Sequence, residues 1–162
     1  MIRAFNTVAY VGLLRPAPGT WGSLAALPLA WLLHMAGGFT LLFIASVALA
    51  CGGLFTIARQ IEGQDDHDPA EIVIDEVAGQ WVALWPVSAG AMVMGADPLA
   101  LWPGVLTAFI AFRAFDILKP GPVGWADRQP GAVGVMADDL IAGWLAALVV
   151  AVLAVFAHLV LM

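Results

Sequence analysis

This 162-residue sequence predicts an all-α fold, a small polytopic transmembrane bundle of about five membrane segments. Three observations carry that prediction. The first is composition: 62% of the residues are hydrophobic and 11% charged, with mean hydropathy +0.95, whereas a soluble domain runs about 45–50% apolar and about 25% charged. The second is length: the apolar runs reach the roughly 20 residues that cross a hydrocarbon core as helix. They are too long for barrel strands, and a barrel is the other structure that satisfies its backbone inside lipid. The third is that one five-crossing arrangement puts every basic residue on the same side.

Taken in order, Trp21–Met35 is apolar but short and holds Pro28, which suits a tilted or kinked span or a re-entrant segment. Phe39–Ala58 is a 20-residue span. Val77–Met94 is the third segment, with Pro86 inside it, Leu99–Phe115 the fourth and Leu140–Met162 the fifth. The AGG at 36–38 and the GADP at 95–98 are tight hairpin connections. The chain reads as one domain over 1–162. No cleavable signal peptide is expected, because RPAPGT interrupts the place where its apolar core would lie. The single cysteine, Cys51, rules out a disulfide framework and reads as a buried small hydrophobe.

Arg3 and Arg15 precede the first segment, Arg59 follows the second, and Arg113, Lys119 and Arg128 lie between the fourth and fifth. With five crossings all six share one face, and the positive-inside rule makes it cytoplasmic, N-terminus included. Three polar segments, 15–23, 59–76 and 113–139, then meet there. The sequence has no basic footprint for nucleic acid.

The acids gather on that face. In DDHDPAEIVIDEVAGQ, Asp68 is a natural N-cap, Pro69 fits a first turn and Glu71 follows the cap by three, so a helix is expected from Pro69 onward. It carries Asp75, on a face with Gly79, and Glu76, on a face with Gln80. Asp65, Asp66 and Asp68 with His67 have ligand chemistry but read better as a solvated acidic loop, Asp68 already having its capping role. His34 and His158 stand alone near the ends of apolar runs and read as packed or interfacial. Asp138 and Asp139 are adjacent where the last helix is expected to begin. One can cap it, but two neighbouring carboxylates at hydrocarbon depth stay ionised only beside a cation or strong donors. In FRAFDILKP, Arg113 and Asp116 share a helix face, which a plain salt bridge would explain; Lys119 has the reach to snorkel.

Asp75, Glu76, Asp116, Asp138 and Asp139 nevertheless come to one interface from different helices. Oxygen ligands without His or Cys point to Mg²⁺, with Mn²⁺ as a substitute. Arg113 and Lys119 supply positive charge for a phosphate. PAPGTWGSL adds Gly19, Thr20, Gly22 and Ser23 before a helix, with free N–H groups and two hydroxyls suited to an anion.

PGTWGSL (18–24), IDEVAGQW (74–81), FRAFDILKPGP (112–122) and GVMADDLIAG (134–143) together resemble the phosphatidylglycerophosphatase A family, in its membrane-embedded branch. The resemblance runs from about Arg15 to Gly143. It implies a Mg²⁺-dependent phosphomonoesterase of the bacterial inner membrane, multi-pass, with the active site facing the cytoplasm. The implied substrate is an anionic phospholipid, phosphatidylglycerophosphate, and the products are phosphatidylglycerol and inorganic phosphate. No obligatory protein partner beyond the bilayer is implied. Asp75, Glu76, Asp116 and Asp139 are the expected metal and catalytic core, with Asp138 beside them. Arg113, Lys119, Thr20 and Ser23 are the expected phosphate contacts.

Other phosphatase chemistries lack their residues. Cys51 is not followed by the spaced arginine of a cysteine phosphatase, no buried strand precedes a D-x-D, and no S-G-H segment is present. The D-G-x-x-A-R of alcohol phosphotransferases is also missing. A small ion transporter or channel subunit is the competing class, since intramembrane acids often line ion paths; here the acids fall near helix ends.

Overall fold

A computed structural model describes residues 1–63 and 69–161. Asp65, Asp66, His67 and the proposed cap Asp68 lie outside the described residues. The described residues hold helices and no strand. A short α1 (Ile2–Asn6) and a 3₁₀ turn (Val11–Leu13) lead into α2 (Pro18–Ile61). Then come α3 (Ile74–Ala83), α4 (Trp85–Met94), a 3₁₀ turn (Pro98–Leu101), α5 (Trp102–Leu118), α6 (Pro122–Asp127) and α7 (Gly131–Leu161).

α2 carries the first two expected segments. It starts with Pro18 in the first turn and breaks at Gly37 and Gly38, whose φ/ψ are −159°/20° and 64°/−160°. The second pair is open only to glycine. A straight helix would hold residues 22 and 53 about 46 Å apart. Instead Gly22 packs on Val73 and Gly53 on neighbouring Ile74 and on Met136, so the chain reverses at the glycines and the two legs return to one end.

The third segment is also broken. α3 and α4 are bent by 44° around Leu84, where Pro86 in the first turn of α4 removes a backbone donor. By length and apolarity, three helices can cross a membrane, or up to four if the bent pair is one span. Five segments are expected from the sequence; Pro18–Ile61, broken at Gly37 and Gly38, counts here as one helix. Val152, Leu153, Val155 and Phe156 of α7 stand at least half exposed, as a hydrocarbon-facing surface requires.

Three local expectations are corrected. The helix expected from Pro69 begins at Ile74. Ile72 and Val73 are β-branched and disfavour helix, and the Val73 N–H is spent on the Asn6 carbonyl at 2.9 Å. Glu71, expected in a capping box, instead takes Arg3 through two bonds of 2.6 and 3.0 Å. α7 begins at Gly131, so neither Asp138 nor Asp139 is its cap; both sit about two turns inside it. Cys51 is exposed rather than buried, on a face of α2 that also exposes Val47 and Phe55 and packs against no core.

Near the polar end, wholly buried Asn6 ties the termini of the bundle together. Its Nδ2 donates to Gln60 Oε1 at 2.8 Å, and its Oδ1 accepts from Thr56 Oγ1 at 2.6 Å. α3 is the centre of the molecule: Ile74, Asp75 and Val77 through Ala83 are all buried. It runs alongside α7 at glycine contact. A Cβ on Gly79 would stand 2.5 Å from the Asp139 carbonyl oxygen, and one on Gly143 2.3 Å from that of Gly79. Small residues at such a crossing let helix backbones touch.

Candidate active site

The α3–α7 crossing fixes the site. Asp75 lies one turn before Gly79 and Asp139 one turn before Gly143, so the contact that joins the backbones brings these carboxylates together. Asp75, Glu76 and Asp139 each offer a carboxylate oxygen, and the three oxygens lie within 4.8 Å of one another. Asp75 is 5% exposed and Asp139 3%. Asp75 and Glu76 stand in the first turn of α3, where the helix dipole favours negative charge. The Glu76 N–H also donates to Asp75 Oδ1 at 3.0 Å.

α5 delivers the other half. Its last two turns present Arg113 and Asp116, joined Nη1 to Oδ2 at 2.6 Å. Lys119 caps the helix in the left-handed region, φ 46°, and turns its ammonium between two acids: Asp127 of α6 and Asp138 of α7, the latter at 2.9 Å. Burial pushes the Lys119 ammonium down, but its hydrogen bonds to Asp127 and Asp138 outweigh this and hold it above its usual range.

These groups line a cleft of about 280 Å³ closed on one side by Pro18 and Gly19 of α2. Gly19 is a spatial requirement: a Cβ there would fall 2.1 Å from Glu76 Oε1 and 3.2 Å from Arg113 Nη1. Five carboxylates and two cations line the cleft, so with all groups ionised three negative charges remain. Burying that excess without a counter-charge costs several kcal/mol per ion. Glu76 Oε2 and Asp139 Oδ1 are buried and without a hydrogen-bond partner. An all-oxygen donor set with two orphaned carboxylate oxygens fits a hard divalent cation.

The structure brings together Asp75, Glu76, Arg113, Asp116, Lys119, Asp138 and Asp139, all expected from the sequence. Thr20 and Ser23 do not line the cleft. Ser23 is wholly buried, donates to the Gly19 carbonyl at 2.9 Å and lies 3.4 Å from Arg113 Nη1, behind the arginine. Sequence reasoning missed Asp127 as the second anchor of Lys119; eight residues separate the two, and only the short helix α6 folds them together. It also missed that Gly19 serves closeness to Glu76.

Fold and site together give a bundle with helices long and apolar enough to cross a membrane and a carboxylate-rich cleft at one end. The phosphatidylglycerophosphatase A family model matches residues 4–154. The phosphatidylglycerophosphatase A of Haemophilus influenzae is 35% identical over 140 residues, 86% of this chain and 80% of that protein. That of Escherichia coli is 34% identical over 137 residues, 84% of this chain and 73% of that protein. No solved structure matches. The chain belongs to the phosphatidylglycerophosphatase A family and is a phosphatase.

Proposed function

We propose that this protein hydrolyses phosphatidylglycerophosphate to phosphatidylglycerol and inorganic phosphate, with Mg²⁺, at the cytoplasmic face of the bacterial inner membrane. The observation that carries this reading is the cleft in which Asp75, Glu76 and Asp139 converge opposite Arg113. The Haemophilus influenzae and Escherichia coli relatives carry the name of that activity. The orientation follows from charge: Arg3, Arg113 and Lys119 lie at the cleft end, and cytoplasmic loops carry excess Lys and Arg.

Asp75, Glu76 and Asp139 would hold the metal, with Asp116 at its edge. Bound there, Mg²⁺ would offset charge on the phosphoryl oxygens and lower the pKa of a coordinated water. The protein does the rest. Arg113 keeps its Nε without a partner, and its guanidinium, steadied by Asp116, presents donors to the phosphate. Lys119, pinned by Asp127 and Asp138, adds a fixed positive charge. In the reaction water attacks phosphorus, its proton passes to a carboxylate of the cleft, and the P–O bond to glycerol breaks. The glycerol oxygen takes up that proton and leaves as the alcohol. Asp75 and Asp116 orient the reacting groups.

The test is phosphate release from phosphatidylglycerophosphate by the purified protein in detergent. Release should need Mg²⁺, cease on chelation and return on re-addition. No release from this lipid at saturating Mg²⁺ would overturn the reading.

A further inference from the structure

A second cavity lies deeper between the same walls. It holds about 330 Å³ and is lined by Leu27 and Trp31 of α2, Leu42 of its second leg, Val87 of α4 and Val105 of α5. Its accessible wall is wholly apolar. The polar groups beside it are already paired: His34 Nδ1 and Ser88 Oγ lie 2.7 Å apart, and Trp31 Nε1 donates to Asp97 at 3.0 Å.

The two cavities are in register. In the cleft the facing walls are Gly19 of α2 and Arg113 of α5, backed by α3. In the cavity they are Leu27 of α2 and Val105 of α5, backed by α4, the continuation of α3. α2 and α5 run in opposite directions here, so Leu27 is eight residues past Gly19 and Val105 eight before Arg113. Each wall therefore puts the mouth of the cavity about 12 Å below the phosphate-contacting residues. One leaflet of hydrocarbon is about 15 Å deep, so this is where the terminal part of a lipid chain lies when its headgroup sits in the cleft. Between the two lie Ala26 and Ala108, small and wholly buried.

We infer that the α2–α5 seam is an acyl-chain subsite: an acyl chain of the phospholipid substrate lies along it and ends in the cavity lined by Leu27, Trp31 and Val105, so that these residues set chain-length preference. This rests on the lipid-phosphatase reading above and names the hydrophobic half of the substrate. Apolar burial that grows with each methylene gives such a pocket its selectivity.

The experiment compares kcat/KM for phosphatidylglycerophosphate with two long acyl chains and with two six-carbon chains. Wild type, Leu27→Trp and Val105→Phe are measured in one detergent. Both positions are only partly buried, so a larger side chain fills the cavity without overpacking the core. The long-to-short ratio should fall at least about tenfold in both variants, because several methylenes lose their contacts. Ala154→Leu, in the separate groove between α4, α5 and α7, should leave the ratio as in wild type. As a measurement independent of any variant, a long-chain substrate with a mid-chain diazirine should label wild-type peptides around 24–34 and 99–108. An unchanged ratio in Leu27→Trp and Val105→Phe overturns the inference even if the label enters the cavity, since the occupant is then bulk lipid. Label confined to the α4–α5–α7 groove overturns it as well. If wild type cleaves neither substrate, the phosphatase reading on this lipid fails, and the subsite with it.

Discussion

Gly143 packs on Gly79: a Cβ on Gly143 would stand 2.3 Å from the Gly79 carbonyl oxygen. Each glycine follows an acid by four residues, Asp139 in α7 and Asp75 in α3. One backbone contact therefore sets the separation of two carboxylates on helices far apart in sequence.

That relationship predicts that Gly79→Ala and Gly143→Ala damage catalysis without emptying the fold. The new methyl meets backbone atoms that cannot swing aside, so α3 and α7 must separate. A displacement near 1 Å at a reacting centre costs about a hundredfold in rate, and a loss of that order is expected. Gly52→Ala, with nothing within 4 Å of its Cβ, should be near wild type. Phosphate release and far-ultraviolet circular dichroism on the same samples check this.

Asp138 and Asp139 should separate in function. Asp139 has a buried oxygen with no partner, whereas Asp138 holds Lys119 at 2.9 Å and accepts the Asp139 N–H at 2.9 Å. Asp138→Asn is expected to lower turnover about 10- to 100-fold, as loss of a supporting contact does at metal sites. Asp139→Asn should lose more and respond less to added Mg²⁺. Phosphate release against Mg²⁺ concentration distinguishes them; equal losses would place both in one role.

Lys119 predicts a flat pH response. Its pKa is raised in the folded protein, so the stability this contributes is complete below the unfolded value of about 10.4. It is lost only as pH rises through the higher folded value. The difference in thermal midpoint between wild type and Lys119→Met should thus stay constant from about pH 6 to pH 9. A difference that shrinks across that interval would show that Lys119 titrates there.

The site was legible because chemistry is scarce in this chain. Among 18 charged residues, Asp75, Glu76, Arg113, Asp116, Lys119, Asp138 and Asp139 stood out against apolar runs, and positive-inside logic put them on one face. The membrane segments were legible from length and hydropathy for the same reason. What escaped was set by tertiary contact. The start of α3 moved to Ile74 because Val73 bonds to Asn6, far away in sequence. The start of α7 moved back to Gly131 because α6 packs against it, so an adjacent acid pair that looked like a cap became mid-helix. Ser23 carries the right hydroxyl but turns it to the Gly19 carbonyl, which sequence spacing does not disclose.

The proposed function places the catalytic metal among Asp75, Glu76 and Asp139. The most direct test is anomalous scattering from crystals of the enzyme in Mn²⁺, once Mn²⁺-supported phosphate release has been shown in solution. A Mn²⁺ peak bounded by these three carboxylates is expected, absent in Asp139→Asn. An active enzyme with its Mn²⁺ bound elsewhere, or with no ion at this cluster, would contradict it.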